Sequence, residues 1–156
     1  MKHIVYYILL SFVLIGGTSC TKNDWMDWKA QNQLWLDQNK DKADVHVTPS
    51  GLQYKVIADP NPYDARPSAS NIVTCTYTGR LINNAQFEGG TSSFAVSTLI
   101  AGFAEGIKKI HTNGDIELYI PYELGYVDEA QGTEGTTGYI PPYSTLIFTI
   151  HLDAVH

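Results

Sequence analysis

With 156 residues the chain has room for one domain of ordinary size and a small appendage. Hydrophobic residues make up 44% and charged residues 17%, which supports a buried core and excludes a globally disordered chain. Ten Lys and Arg against sixteen Asp and Glu give a net charge of −6 with no basic cluster, so counter-ion release cannot drive binding to DNA or RNA and no nucleic-acid partner is expected.

The chain opens Met1-Lys2-His3, continues almost wholly apolar from Ile4 to Ile15, and then reads Gly16-Gly17-Thr18-Ser19-Cys20. An apolar run this short falls below the ~20 residues a membrane-spanning helix needs and within the roughly 7–15 of a signal-peptide core. Small residues followed at once by Cys resemble a bacterial lipobox, with Gly17 standing where an aliphatic residue is usual. That resemblance implies a signal peptide over 1–19 and an acylated Cys20. The mature chain is then an exported lipoprotein tethered to a membrane of the cell envelope. The other reading is an ordinary cleaved leader with an incidental Cys.

Residues 20–47 form an anchor and linker in which Trp25, Trp28 and Trp35 are spaced by three and seven. That spacing predicts a helix over roughly 24–39, capped by Asn23 or Asp24, with the three rings near one stripe. The stripe either packs on the domain behind it or faces a partner or membrane. It is too short for a dimerisation stalk, so a monomer is expected.

From Thr48 the pattern turns to strands. Leu52, Tyr54 and Val56 alternate, then Asp59-Pro60-Asn61-Pro62 breaks the chain, and Val73, Cys75 and Tyr77 alternate up to Gly79. Cys75 falls on the apolar side of its strand, where a thiol acts as a small hydrophobe. Leu81–Phe87 reads as a short strand interrupted by Asn83-Asn84, and Gly89–Ser93 as a loop. Ser97 or Thr98 is placed to cap a helix from Leu99 to about Ile110, with Lys108 and Lys109 at its C-terminal dipole. Ile116, Leu118 and Ile120 alternate, as do Leu146, Phe148, Ile150 and Leu152. Five or six strands and one helix predict an α+β domain over 48–156, an antiparallel sheet curling around a short helix.

Four blocks occur in order: Val73-Thr74-Cys75-Thr76-Tyr77-Thr78-Gly79; Phe87-Glu88; Gly102-Phe103-Ala104-Glu105-Gly106; and Ile140-Pro141-Pro142 leading to Thr145-Leu146-Ile147-Phe148. Together with Thr48 to Tyr54 and Leu124-Gly125-Tyr126, the succession resembles the FKBP-type peptidyl-prolyl cis-trans isomerases across residues 48–154. The resemblance implies a proline-binding cup formed by Tyr77, Phe87, Ile100, Phe103 and Phe148, with Phe94 on its rim and Leu99 beside it. Glu88 stands at the family's Asp, Tyr126 at a hydroxyl that donates to a substrate carbonyl, and Tyr139 and Ile140 at the end of the flap. Phe103 takes the place of the family's usual Trp. The span from Phe94 to Gly102 is shorter than in typical members, while Val127–Gly138 is longer and is expected to overhang the cup.

Such a site implies an isomerase of proline-containing polypeptides that needs no cofactor. The amide bond rotates over a barrier of ~18–20 kcal/mol because resonance gives it double-bond character. A dry cup that disfavours the dipolar planar form lowers that barrier without a nucleophile or metal. A non-catalytic FKBP-like binding lipoprotein, or a structural envelope protein using the Trp helix, are the competing readings. His46, His111, His151 and His156 show no metal-ligand spacing, and Gly132–Gly138 lacks the Lys-Ser/Thr of a phosphate loop.

Overall fold

The computed structural model describes residues 22–156. The expected signal peptide and Cys20 lie outside the described residues. The elements are helix α1 (Lys22–Asn39), strands β1 (His46–Val47), β2 (Gln53–Ala58), β3 (Ile72–Arg80) and β4 (Gln86–Ala95), helix α2 (Ala101–Gly106), and strands β5 (Asp115–Ile120) and β6 (Leu146–Val155). The six strands form one sheet in the order β1-β2-β5-β6-β3-β4, every neighbouring pair antiparallel.

Period-two alternation decides which side of the sheet closes. Val73, Cys75 and Tyr77 on β3, Ile116, Leu118 and Ile120 on β5, and Leu146, Phe148, Ile150 and Leu152 on β6 all join one buried cluster on the inner face. Helix α2 fills that concavity. Gly102 and Gly106, one turn apart, let its backbone rest directly on the sheet; a Cβ at either would collide with Ile120 or Leu118.

The expected long helix is shorter than its periodicity suggested. Val96–Thr98 forms a separate 3₁₀ turn, α2 begins after Ile100, and Ile107–Lys109 is again 3₁₀. Neither Ser97 nor Thr98 caps α2; the Thr98 hydroxyl instead donates to Ala95 O at 2.8 Å. Ile110 is extended but fully buried, so its apolar spacing reflected the core rather than a continuous helix.

Two loop expectations also change. Asn83 and Asn84 form the tight turn between β3 and β4, with Asn84 at φ 65° and Leu81 N–H donating to Ala85 O. Gly89–Ser93, expected as a loop, lies within β4 and pairs with β3 throughout. Cross-strand bonds from Thr74 to Ser93 and from Thr76 to Thr91, both 2.8 Å, offset the weak strand propensity of that segment.

Helix α1 crosses the outer face over the row Gln53, Tyr119 and Ile147. Trp35 and Leu36 pack on Tyr119 and Ile147, and Trp28 reaches the main core. Buried polar groups fasten the helix as well: Gln53 Nε2–H donates to Leu36 O, and Thr145 N–H donates to Asn32 Oδ1 at 2.7 Å. Trp28 and Trp35 thus turn towards the domain, while Met26 and Leu34 face solvent. Among the described residues no helix is long and apolar enough to cross a membrane.

Candidate functional site

The inner face of β3 and β4, the C-terminal part of the sheet and α2 enclose a cavity of about 290 Å³. Alternation on β3 sends Tyr77 inward, β6 contributes Phe148, and α2 raises Phe103 between them. Phe103 is 4% exposed and meets Phe148 edge-on at 5.2 Å and Tyr77 at 6.3 Å. Phe94 closes one side, 5.6 Å from Tyr77. Tilted and edge-to-face contacts of this kind hold each ring by its neighbours, so the floor is rigid and apolar.

Leu99, Ile100 and Thr98 form the wall ahead of α2, and Glu88 and Tyr126 supply its polar atoms. The Tyr77 hydroxyl donates to Glu88 Oε1 at 2.8 Å. Burial, then the hydrogen bond and charge of Glu88, push the Tyr77 hydroxyl up to about 12. Burial and the Glu88 charge also raise Tyr126. Both hydroxyls therefore stay protonated at neutral pH. Tyr126 lines the cavity, where its protonated hydroxyl is placed to donate to an incoming carbonyl. The chemistry available is enclosure of a compact apolar ring, with hydroxyl donors and a carboxylate at its margin.

Eight of the eleven expected site residues thus converge: Tyr77, Glu88, Phe94, Leu99, Ile100, Phe103, Tyr126 and Phe148. Phe87, Tyr139 and Ile140 do not line the cavity. Phe87 stands behind Phe148, edge-on at 5.5 Å, in a space that Gly79 leaves open. Ile140 is buried in the core, and Tyr139 is half-buried at the end of the flap. Thr98, absent from the expected set, is brought in by the 3₁₀ turn that replaces the start of the predicted helix; a motif read as a helix cap carries no signal for it.

The flap expected over the cup, Val127–Gly138, contributes nothing to the cavity lining. Gln131 and Ile140 exchange backbone hydrogen bonds of 2.9 Å, which folds the segment back on itself, and Gly138 lies against the Phe87 carbonyl. Backbone pairing within the loop satisfies groups that an open overhang would leave to water.

Comparison with known proteins agrees with this geometry. The chain is 37% identical over 132 residues to the outer membrane protein MIP of Legionella longbeachae, covering 81% of this chain and 54% of that protein. It is 34% identical over 128 residues to the FKBP-type 22 kDa peptidyl-prolyl cis-trans isomerase of Escherichia coli, covering 79% and 59% respectively. The crystal structure of FkpA from Escherichia coli superposes with a TM-score of 0.75 at 31% identity, covering 85% of this chain and 61% of that one. The chain spans about half the length of the curated relatives it matches. Residues 21–56 match the model of the domain amino terminal to FKBP-type peptidyl-prolyl isomerases. Residues 63–153, which carry the entire cavity, match the FKBP-type peptidyl-prolyl cis-trans isomerase model, and the chain belongs to that family.

Proposed function

We propose that the protein is a peptidyl-prolyl cis-trans isomerase acting on proline-containing polypeptides exported to the bacterial cell envelope. The observation that carries this reading is the aromatic cavity itself, about 290 Å³ and floored by Phe103. A proline ring enters against Phe103, Phe148 and Tyr77, and Ile100 and Leu99 exclude water from the preceding carbonyl. Removing that water disfavours the dipolar planar amide more than the twisted form. The Tyr126 hydroxyl donates to a substrate carbonyl and fixes its orientation, while Glu88 holds the Tyr77 ring through its hydroxyl. No bond is broken, so no nucleophile or cofactor takes part.

The deciding experiment is an NMR exchange or protease-coupled assay on short X-Pro peptides. Acceleration of cis-trans exchange is the expected outcome. Saturable binding of a proline peptide with no acceleration would assign the chain to the non-catalytic binders instead.

The same reading places the mature chain on a membrane through acyl chains at Cys20, with residues 1–19 removed as a signal peptide, 20–47 serving as the anchor and Trp-bearing helix, and 48–156 as the working domain. The Legionella longbeachae relative is named an outer membrane protein, which supports an envelope location. Acyl chains contribute ~0.8 kcal/mol per buried CH₂, so Cys20→Ser should move the protein from the membrane to the soluble fraction. Unchanged fractionation would refute the anchor. A monomer is the expected state, because α1 is short and its Trp28 and Trp35 are spent on the chain's own sheet.

A further inference from the structure

The sheet ends in two unlike edges. At one side β1 is two residues long; at the other β4 is ten. Natural sheets blunt a long edge with proline, lysine, a bulge or a covering element. From Glu88 to Ala95, β4 has none of the first three, and Glu88–Ser93 are exposed. Its single charge, Glu88, is engaged by Tyr77 on the inner face.

The hydrogen-bond alternation identifies which groups are free. Val96 N–H donates to Asn71 O at 3.0 Å, and Ile72 exchanges both backbone bonds with His156 on the opposite side. Continued along the β3–β4 pair, this alternation turns the N–H and C=O of Gly89, Thr91 and Ser93 away from β3 and into solvent. The hydroxyls of Thr91 and Ser93 bond back to Thr76 and Thr74 on the outer face, and Gly89 has no side chain, so nothing on these residues screens the row. At ~3.3 Å per residue the row is about 13 Å long. The strand that carries it also carries Glu88 and Phe94, both of which line the cavity. Edge and cavity are one continuous surface.

We propose that the extended segment adjoining a substrate's proline adds to this sheet as a further strand along β4, while the proline occupies the cavity. The inference rests on the isomerase reading above and names what that site selects. A backbone ladder recognises any unfolded, extended flank of about five residues without regard to its side chains, provided its amides are free. Clients are therefore extended chains rather than prolines in the tight loops of folded domains.

The test compares a four-residue X-Pro peptide with the same peptide extended by a five-residue Ser/Thr/Val flank, on either side in turn. Wild-type protein should show a KM about tenfold lower for one of the flanked peptides, the worth of two or so edge hydrogen bonds. N-methylation at alternate flank positions should abolish that gain, a measurement that needs no protein variant. Thr91→Pro removes one outward N–H at a position where an edge strand tolerates proline. It should abolish the same gain and leave kcat/KM for the short peptide unchanged.

Turnover of the short peptide with no gain from either flank, or a gain that survives both N-methylation and Thr91→Pro, would overturn the proposal and leave the isomerase reading standing. Failure to accelerate either peptide would remove both. A concentration-dependent dimer that dissolves in Thr91→Pro, with no gain from a flank, would assign the edge to a second copy of the chain and overturn the proposal.

Discussion

The Tyr77 hydroxyl meets Glu88 Oε1 at 2.8 Å across the β3–β4 pair, although Tyr77 is registered against Gly90 and Glu88 against Gly79. The bond is therefore diagonal, and Glu, one methylene longer than the Asp of the family pattern, spans it. Gly90, opposite Tyr77, has no side chain to obstruct it, while the space at Gly79 is taken by the Phe87 and Phe148 rings.

Breaking this bond while keeping the ring tests what it does for the site. Tyr77→Phe should cost about 1–2 kcal/mol of transition-state stabilisation, read as a five- to thirtyfold loss in kcat/KM. The Tyr77 hydroxyl also sets a pH limit. Its pKa is raised from 10 to about 12 in the folded chain, so the stability it contributes is complete below pH 10 and is lost as pH rises towards 12. Ionisation of this hydroxyl should therefore cause no loss of activity below about pH 10. Tyrosinate absorbance should show one late-titrating tyrosine fewer in Tyr77→Phe, since burial also raises Tyr119.

Tyr126 and Phe103 should respond differently to substitution. Tyr126→Phe removes a hydroxyl at the cavity margin and keeps its ring, so stability should hold while transition-state stabilisation falls by ~1–2 kcal/mol, read in kcat/KM. Phe103→Ala empties the floor of a rigid ring cluster and should cost ~3–5 kcal/mol of stability. Its activity must be compared at equal folded fraction, and should fall further than that of Tyr126→Phe. Phe103→Trp, towards the family pattern, should retain or improve turnover.

Helix α1 braces the segment that leads into Phe148. Asn32 accepts from Thr145 N–H at 2.7 Å, and Trp28 Nε1–H donates to Ser144 Oγ at 3.0 Å. Asn32→Ala would leave the buried Thr145 N–H without its acceptor, at an expected cost of ~1–3 kcal/mol in chemical denaturation. Truncation before Thr48 removes the whole helix. We expect residues 48–156 still to unfold cooperatively at a lower midpoint; a non-cooperative transition would place α1 inside the folding unit.

Asp59 gives the domain an acid limit. Burial alone would raise its carboxyl, but the backbone N–H and ring of His111, at 3.0 and 2.9 Å, hold it below the ordinary value of 3.8. A lowered folded-state pKa stabilises the protein above the unfolded value, and that stability disappears as pH falls through the folded one. Asp59→Asn should be less stable than wild type at pH 7, and the difference should shrink in thermal melts as pH falls below the ordinary carboxyl value of 3.8.

The sequence by itself determined the inward faces of the strands, because a half-buried strand must alternate and its residues need no distant information to do so. Val73, Cys75 and Tyr77, and the series from Leu146 to Leu152, are legible for that reason. The cup residues were legible through motif order, which located Tyr77, Glu88, Phe103, Tyr126 and Phe148 together. Only the tertiary structure decided the rest. Gly89–Ser93 has the composition of a loop, and it is the ladder to β3 and the Thr74 and Thr76 hydroxyls that make it a strand. Leu99–Ile110 has helical spacing, yet packing of Gly102 and Gly106 on β5 leaves only six α-helical residues there, and the preceding turn brings Thr98 into the cavity. Phe87 and Ile140 carry motif identity but pack behind the wall. Local patterns record which way a side chain faces; which buried ring borders the cavity depends on partners distant in sequence, where packing outweighs propensity.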